Sequence, residues 1–155
     1  MPSPALDLTD RRLLALLQRN NRRALRALAD ELAISAPTCL RRMRRLESLG
    51  VIRGHSALLD PARAGFQVTA YVEVRLVDTS GADLAAFERR MQRCPEVLQC
   101  AELAGDVDYL LVVVTRDMAG FAEFARRQLA DDRRVRSYRS HLVLRQAKNE
   151  HALPV

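Results

Sequence analysis

Cysteine, histidine and long apolar runs are all scarce in this sequence, and each scarcity removes a class of function. Cys39, Cys94 and Cys100 are odd in number, lack CxxC spacing and fall within apolar patterns. They argue for buried free thiols in a reducing compartment and against a disulfide framework. His55, His141 and His151 are scattered, with no His or Cys partner at ligand spacing, so no metal site is expected. The longest uninterrupted apolar run, Tyr109 to Val114, is far too short to span a bilayer. The opening MPSPALDLTD has neither the basic start nor the apolar stretch of a signal peptide, and a cytoplasmic protein is expected. Also absent are a Walker loop, a GxGxxG turn and a GxSxG elbow. The carboxylate pairs Asp106/Asp108 and Asp131/Asp132 have no nucleophile beside them, so neither catalysis nor a cofactor is expected. Asp131-Asp132-Arg133-Arg134 reads as a solvated connection.

What is present describes a protein of 155 residues with 48% apolar and 28% charged side chains, enough for one domain or two small ones with buried cores. Its formal charge is +6, and residues 1–60 hold 11 basic and 6 acidic side chains, nearly the whole excess. That asymmetry suggests a polyanion-binding part joined to a near-neutral one. Lys148 is the lone lysine. A genomic coding habit explains the arginine bias as well as base reading does, so the bias itself carries no weight.

The basic excess is concentrated in SAPTCLRRMRRLESL, Ser35 to Leu49. Ser35 can cap a helix and Pro37 is tolerated in its first turn. Leu40, Met43 and Leu46 then share a side to be buried, which sets Arg41, Arg44 and Arg45 with Pro37 and Ser48 on the opposite side. A solvated basic face would explain this segment alone. Upstream, however, Asp10 to Gln18 carries Leu13, Leu14, Leu16 and Leu17 behind a Thr9/Asp10 start, and a second helix spans about Ala24 to Leu32. The three-residue connection Ala33-Ile34-Ser35 is too short to stack two helices in parallel. A helix-turn-helix is therefore expected, its second helix directed at the major groove.

Beyond residue 66 the period changes. Val68, Ala70, Val72, Val74 and Leu76 alternate with polar neighbours as a half-buried strand. A helix follows over Ala82–Arg93, with Leu84, Phe87 and Met91 inward and Pro95 as its stop. Strands are predicted over about Val97–Ala104 and Tyr109–Thr115. An Asp117-capped helix buries Phe121, Phe124, Ala125 and Gln128/Leu129, and a last strand runs over about Val135–Leu144. This order is a ferredoxin-like βαββαβ arrangement, an antiparallel sheet with both helices on one face. The other face needs a cover, for which a second copy of the chain is the simplest source.

Taken together, SAPTCLRRMRRLE, the connector LGVIRGHSALLDPARAG, the later CAELAGDVDYLL and the closing ALP resemble the Lrp/AsnC (leucine-responsive, feast/famine) family of prokaryotic transcription regulators, from about Leu6 to Pro154. The resemblance implies an α+β chain: a winged helix-turn-helix domain over 1–50, a hinge strand or linker over 51–65, and a ferredoxin-like βαββαβ domain of the RAM type, for ligand sensing and oligomerisation, over 66–155. Val51/Ile52 would pack on the head and Ala57-Leu58-Leu59 on a partner chain. The implied partners are double-stranded DNA, further copies of the chain as dimer, tetramer or octamer, and a free amino acid as effector. Location would be cytoplasmic, on the nucleoid.

For DNA, Thr38, Arg41 and Arg45 are the candidates for base edges and Arg42 and Arg44 for phosphates, with Ser35 as a cap first and a phosphate contact second and Pro37 beside it on the DNA-binding face. For the effector, the resemblance points to Glu102, Leu103, Ala104 and the turn Gly105-Asp106-Val107-Asp108-Tyr109, with Met118 and His141 beside it. An amino acid needs a carboxylate for its ammonium, which Asp106 or Asp108 can supply; equally, both aspartates can simply build the turn. Surface or core roles for Glu102, Met118 and His141 are the alternatives. Ala24 and Ala33 stand where the family commonly has a capping Ser or Thr and a glycine. A ligand-independent architectural DNA-binding protein shares every feature except a working effector cleft.

Overall fold

The computed structural model describes residues 5–155; the first four residues of the opening stretch and of the expected 1–50 domain lie outside the described residues. The chain divides into two compact units. One comprises the residues up to Leu58 together with Lys148–Val155, and the other comprises Leu59–Ala147. The closing residues therefore group with the N-terminal unit, whereas the sequence placed them in the 66–155 domain. The side-chain amide of Gln18 donates to the Leu153 carbonyl at 3.1 Å and accepts from the Leu153 N–H at 2.6 Å, the pairing one strand offers another.

The N-terminal unit holds three helices, α1 (Leu8–Arg19), α2 (Leu25–Glu31) and α3 (Ala36–Ser48). Helix α1 starts at Asp7, not at Thr9/Asp10: Asp7 and Asp10 each accept the other's backbone N–H in a reciprocal capping box. Leu13, Leu14 and Leu17 meet Leu28, Ala29 and Leu32 of the second helical segment and Cys39 and Leu46 of α3 in one core. The inward stripe of α3 is thus Cys39, Met43 and Leu46, and Leu40 lies at its margin, half-buried. A spacing of three residues drifts around a 3.6-residue helix, which is why the thiol rather than the leucine completes the stripe.

Ala24 provides no side-chain cap for α2, as its identity implies. Ala33, in the turn between α2 and α3, sits at φ 53°, where a Cβ is crowded by the backbone. Ala33→Gly is accordingly expected to stabilise the unit by about 0.5–1 kcal/mol, the relieved strain exceeding the extra freedom glycine gains when unfolded. Thermal unfolding checks this, and a lower midpoint would show that the strain is relieved elsewhere.

Residues 51–65 form no strand. Val51 and Ile52 do pack against the helical core, as expected, but Leu58 and Leu59 are exposed and the backbone of the segment has no ladder partner among the described residues. A lone extended segment cannot satisfy its own N–H and C=O groups as a strand must.

The second unit follows the expected order: β1 (Val68–Leu76), α4 (Gly81–Gln92), β2 (Val97–Glu102), β3 (Tyr109–Thr115), α5 (Met118–Ala125), a π-helical turn (Arg126–Ala130) and β4 (Val135–Leu142). The strands lie in the order β2-β3-β1-β4, all neighbours antiparallel. Alternation fixes the faces. Ala70, Val72, Val74 and Leu76 of β1 and Tyr109, Leu111 and Val113 of β3 pack on Phe87 and Met91 of α4 and on Phe121, Phe124 and Leu129. The opposite face carries Thr69, Tyr71, Glu73 and Arg75 beside Leu110, Val112 and Val114 on one side and Arg139 and His141 on the other.

The connection Asp131–Arg134 is not fully solvated. Asp132 is 6% exposed and accepts hydrogen bonds from Arg90 Nη1 at 2.8 Å and from Arg134 Nε and Nη2 at 2.9 Å each. It joins α4 to the start of β4 through one carboxylate. Burial works against its charged form, but the Arg134 and Arg90 guanidinium groups outweigh it and hold its carboxyl below the usual range.

Candidate nucleic-acid interface and effector site

Helix α3 begins where the sequence places it. Ser35 caps it, accepting the Thr38 N–H at 3.3 Å and donating its own hydroxyl to Thr38 Oγ1 at 2.9 Å, with Pro37 in the first turn. Arg41 and Arg44 are exposed on the face opposite Cys39, Met43 and Leu46, and among the described residues no ion pair or hydrogen bond engages either guanidinium. Thr38 stands half-buried at the leading end of the same helix.

Arg42 and Arg45 are placed differently. Arg42 Nη1 bonds Asp7 at 2.6 Å and Asp10 at 2.7 Å. Arg45 donates through Nη1 to the other Asp10 oxygen at 2.9 Å and through Nη2 to the Ala5 carbonyl at 3.2 Å. Asp10 is only 1% exposed. Burial disfavours its charge, yet the bonds from Arg42 and Arg45 and the Asp7 N–H prevail, so its carboxyl stays below the ordinary range. Asp7, Asp10, Arg41, Arg42 and Arg45 border a shallow concavity of about 320 Å³. Sequence reasoning saw the arginines and missed the aspartates that hold two of them. The partners are 32 to 35 residues apart, and the helix-start signal was the available clue.

In the second unit the expected effector residues do not all face one way. The Asp108 carbonyl accepts the Leu103 N–H across the turn at 2.9 Å, but its carboxylate does not build the turn: Oδ2 accepts the Leu76 N–H at 2.7 Å while the Asp108 N–H donates to the Val74 carbonyl at 3.0 Å, closing the end of β1 against the turn. Tyr109 points into the core and donates its hydroxyl to Glu88 at 3.1 Å. Glu102, paired in register with Tyr109, is exposed, as are Leu103, Ala104, Gly105 and Asp106. Met118, 51% exposed, is not a core residue. His141 lies on the open sheet face with Nε2 3.2 Å from Glu73. Val107 borders a second concavity, about 190 Å³, with Glu73, Arg75, Ser137, Tyr138 and Arg139. That set brings two guanidinium groups and a carboxylate to one place beside the turn.

Among the described residues no group of His, Cys, Asp and Glu side chains could hold a metal ion, and no helix is long and apolar enough to cross a membrane.

Comparison with known proteins matches residues 6–53 to the winged helix-turn-helix DNA-binding model and residues 69–153 to the Lrp/AsnC ligand binding domain. The chain is 38% identical over 144 residues to the leucine-responsive regulatory protein of Rhizobium meliloti, covering 93% of this chain and 92% of that one. It is 35% identical over 150 residues to the DNA-binding transcriptional activator DecR of Escherichia coli, covering 97% and 99%. Among solved structures, a transcriptional regulator from Neisseria meningitidis in complex with L-Met superposes with a TM-score of 0.91 at 33% identity, covering 97% of each chain.

Proposed function

Because the chain belongs to the Lrp/AsnC family of transcription regulators, we propose that it reads DNA through Thr38, Arg41 and Arg44 of α3 and answers to a free amino acid bound beside the Gly105–Tyr109 turn. It is a DNA-binding regulator and not an enzyme. The observation that carries the assignment of residues is the pair of unengaged guanidinium groups on the outward face of a capped third helix. Thr38 and Arg41, near its leading end, suit base edges, and Arg44 suits phosphate. Affinity would then come mainly from phosphate neutralisation and fall steeply with salt.

The apolar strip of Tyr71, Leu110 and Val112 on the open sheet face supports pairing with a second copy, which would set two heads on successive major grooves. The same pairing offers exposed Leu58 and Leu59 a partner backbone, the hinge strand that one chain does not form. Tetramers or octamers, and a cytoplasmic site of action on the nucleoid, fit this reading.

For the effector, the concavity bordered by Glu73, Arg75, Val107 and Arg139 suits a zwitterion: guanidinium for its carboxylate, a carboxylate for its ammonium. The amino-acid chemistry gains support from the L-Met complex of the Neisseria protein. A thermal-shift scan with the common amino acids tests it. One or a few are expected to raise the midpoint by preferential binding to the folded state, and the shift should shrink in Asp106→Asn. Asp106, exposed at the tip of the turn, is the better probe than Asp108, whose carboxylate already holds the Leu76 N–H. No shift with any amino acid would favour the ligand-independent architectural role.

A further inference from the structure

We propose that Asp10 is a positioning residue for DNA reading: it withholds Arg42 and Arg45 from the duplex, leaving sequence to Thr38 and Arg41 and phosphate to Arg44. The inference rests on the DNA-reading role of α3 and adds a division of labour among its four arginines. Asp10 is pinned before any arginine reaches it, because its carboxylate also accepts the Asp7 N–H in the capping box of α1. Both of its oxygens then receive a guanidinium, Oδ1 from Arg42 and Oδ2 from Arg45. Arg45 has its two terminal nitrogens committed, one to Asp10 and one to the Ala5 carbonyl.

Relative costs decide which arginines can leave. A phosphate that takes Arg44 breaks no ion pair. A phosphate that takes Arg45 strips one of two guanidinium partners from a carboxylate that is 1% exposed, and a buried charge that loses compensation is strongly destabilising. The second competitor is weaker. Asp7 has a 54% exposed side chain, so water screens its pair with Arg42; it adds to the hold of Asp10, and Arg42, paired with both acids and 27% exposed, is more firmly held than Arg45, which is 46% exposed. The head thus carries two internal anions that occupy the places of phosphates on one flank of α3.

The test uses the full chain and four proteins: wild type, Asp10→Asn, Asp7→Asn and Asp30→Asn. Asp30 is an exposed acid of the same unit whose carboxylate engages no guanidinium among the described residues, so it controls for the change of one charge. Thermal unfolding first establishes that each is folded. Affinity is then measured against salt on a random-sequence duplex and on a duplex recovered by wild type from a random pool. Freeing Arg42 and Arg45 should steepen the slope of log K against log salt by about 1–2 per head in Asp10→Asn, since each phosphate neutralised contributes roughly 0.9. The preference for the selected duplex should fall several-fold, because the added contacts carry no sequence information. Asp7→Asn should steepen the slope by less, and Asp30→Asn should change neither quantity.

Three results overturn the proposal: wild-type slope and preference in Asp10→Asn, a flatter slope with loss of affinity for both duplexes, or the same change in Asp30→Asn. If Asp10→Asn does not fold, Asp7→Asn decides alone, since asparagine caps a helix as well as aspartate does; an unchanged slope there is equally fatal. A wild-type protein that binds no duplex would instead overturn the DNA-reading role itself.

Discussion

Replacing Asp132 with alanine is expected to destabilise the second unit by roughly 2–3 kcal/mol, enough to lower its unfolding midpoint by about 10–20 °C. The carboxylate is buried and receives three guanidinium bonds from Arg90 and Arg134. Its removal leaves those donors facing one another across α4 and β4. The figure lies below the 3–5 kcal/mol typical of a broken buried pair because Arg90 and Arg134 keep 29% and 31% of their side chains in solvent, where water compensates them in part. The same group predicts an acid dependence. Its folded carboxyl titrates below the ordinary 3.8, so its stabilisation is complete above that pH and is lost as pH falls through the folded value. Wild type should therefore lose stability below about pH 4. Asp132→Ala should lack that part of the decline. Calorimetric scans at several pH values check both, and a variant with the wild-type midpoint at neutral pH would show the network to be dispensable.

Arg41→Ala is expected to lower affinity for a selected duplex by roughly 10- to 100-fold while affinity for random DNA falls only a few-fold, since a bidentate base contact is worth about 1–3 kcal/mol of discrimination. Arg41 is exposed and outward, so its loss opens no cavity and the fold should be untouched. Arg44→Ala should instead weaken both duplexes alike and flatten the salt slope by about 1 per head. Comparing the two variants on both duplexes assigns each arginine. A uniform loss in Arg41→Ala would move base reading elsewhere on α3.

The legible parts of the chain are those governed by local periodicity. The strict alternation from Val68 to Leu76 gave β1 its bounds and its buried face, and Tyr109–Thr115 emerged at the expected residues. Ser35, Ser80 and Asp117 all cap helices, as short polar side chains ahead of apolar stripes should. The buried acids were not legible. Asp10 and Asp132 look like surface charges because sequence pattern assigns carboxylates to water, whereas each is buried by arginines that include one from a distant helix. Cys39 is the buried thiol the apolar pattern implies, but the three-residue spacing put Leu40 rather than Cys39 in the inward stripe, although a thiol buries as readily as a small hydrophobe. Over 51–65 alternation names no ladder partner, and among the described residues the expected hinge strand finds none.

The three thiols are distributed so that each unit carries its own. Cys39 is completely inaccessible on the inner side of α3, Cys94 is buried after α4, and Cys100 is half-buried on β2 with its thiol pushed up to about 11 by burial and by Glu88. None is a reactive thiolate in the folded chain, and an alkylating reagent reaches buried Cys39 and Cys94 chiefly through local or global opening. The protein is therefore fitted with intrinsic clocks. The rate at which Cys39 is labelled times the breathing of the DNA-reading head, and the rate at Cys94 times that of the sheet domain. Peptide mass spectrometry can separate these without any engineered probe, so a ligand or a duplex could be assigned to the unit whose clock it slows.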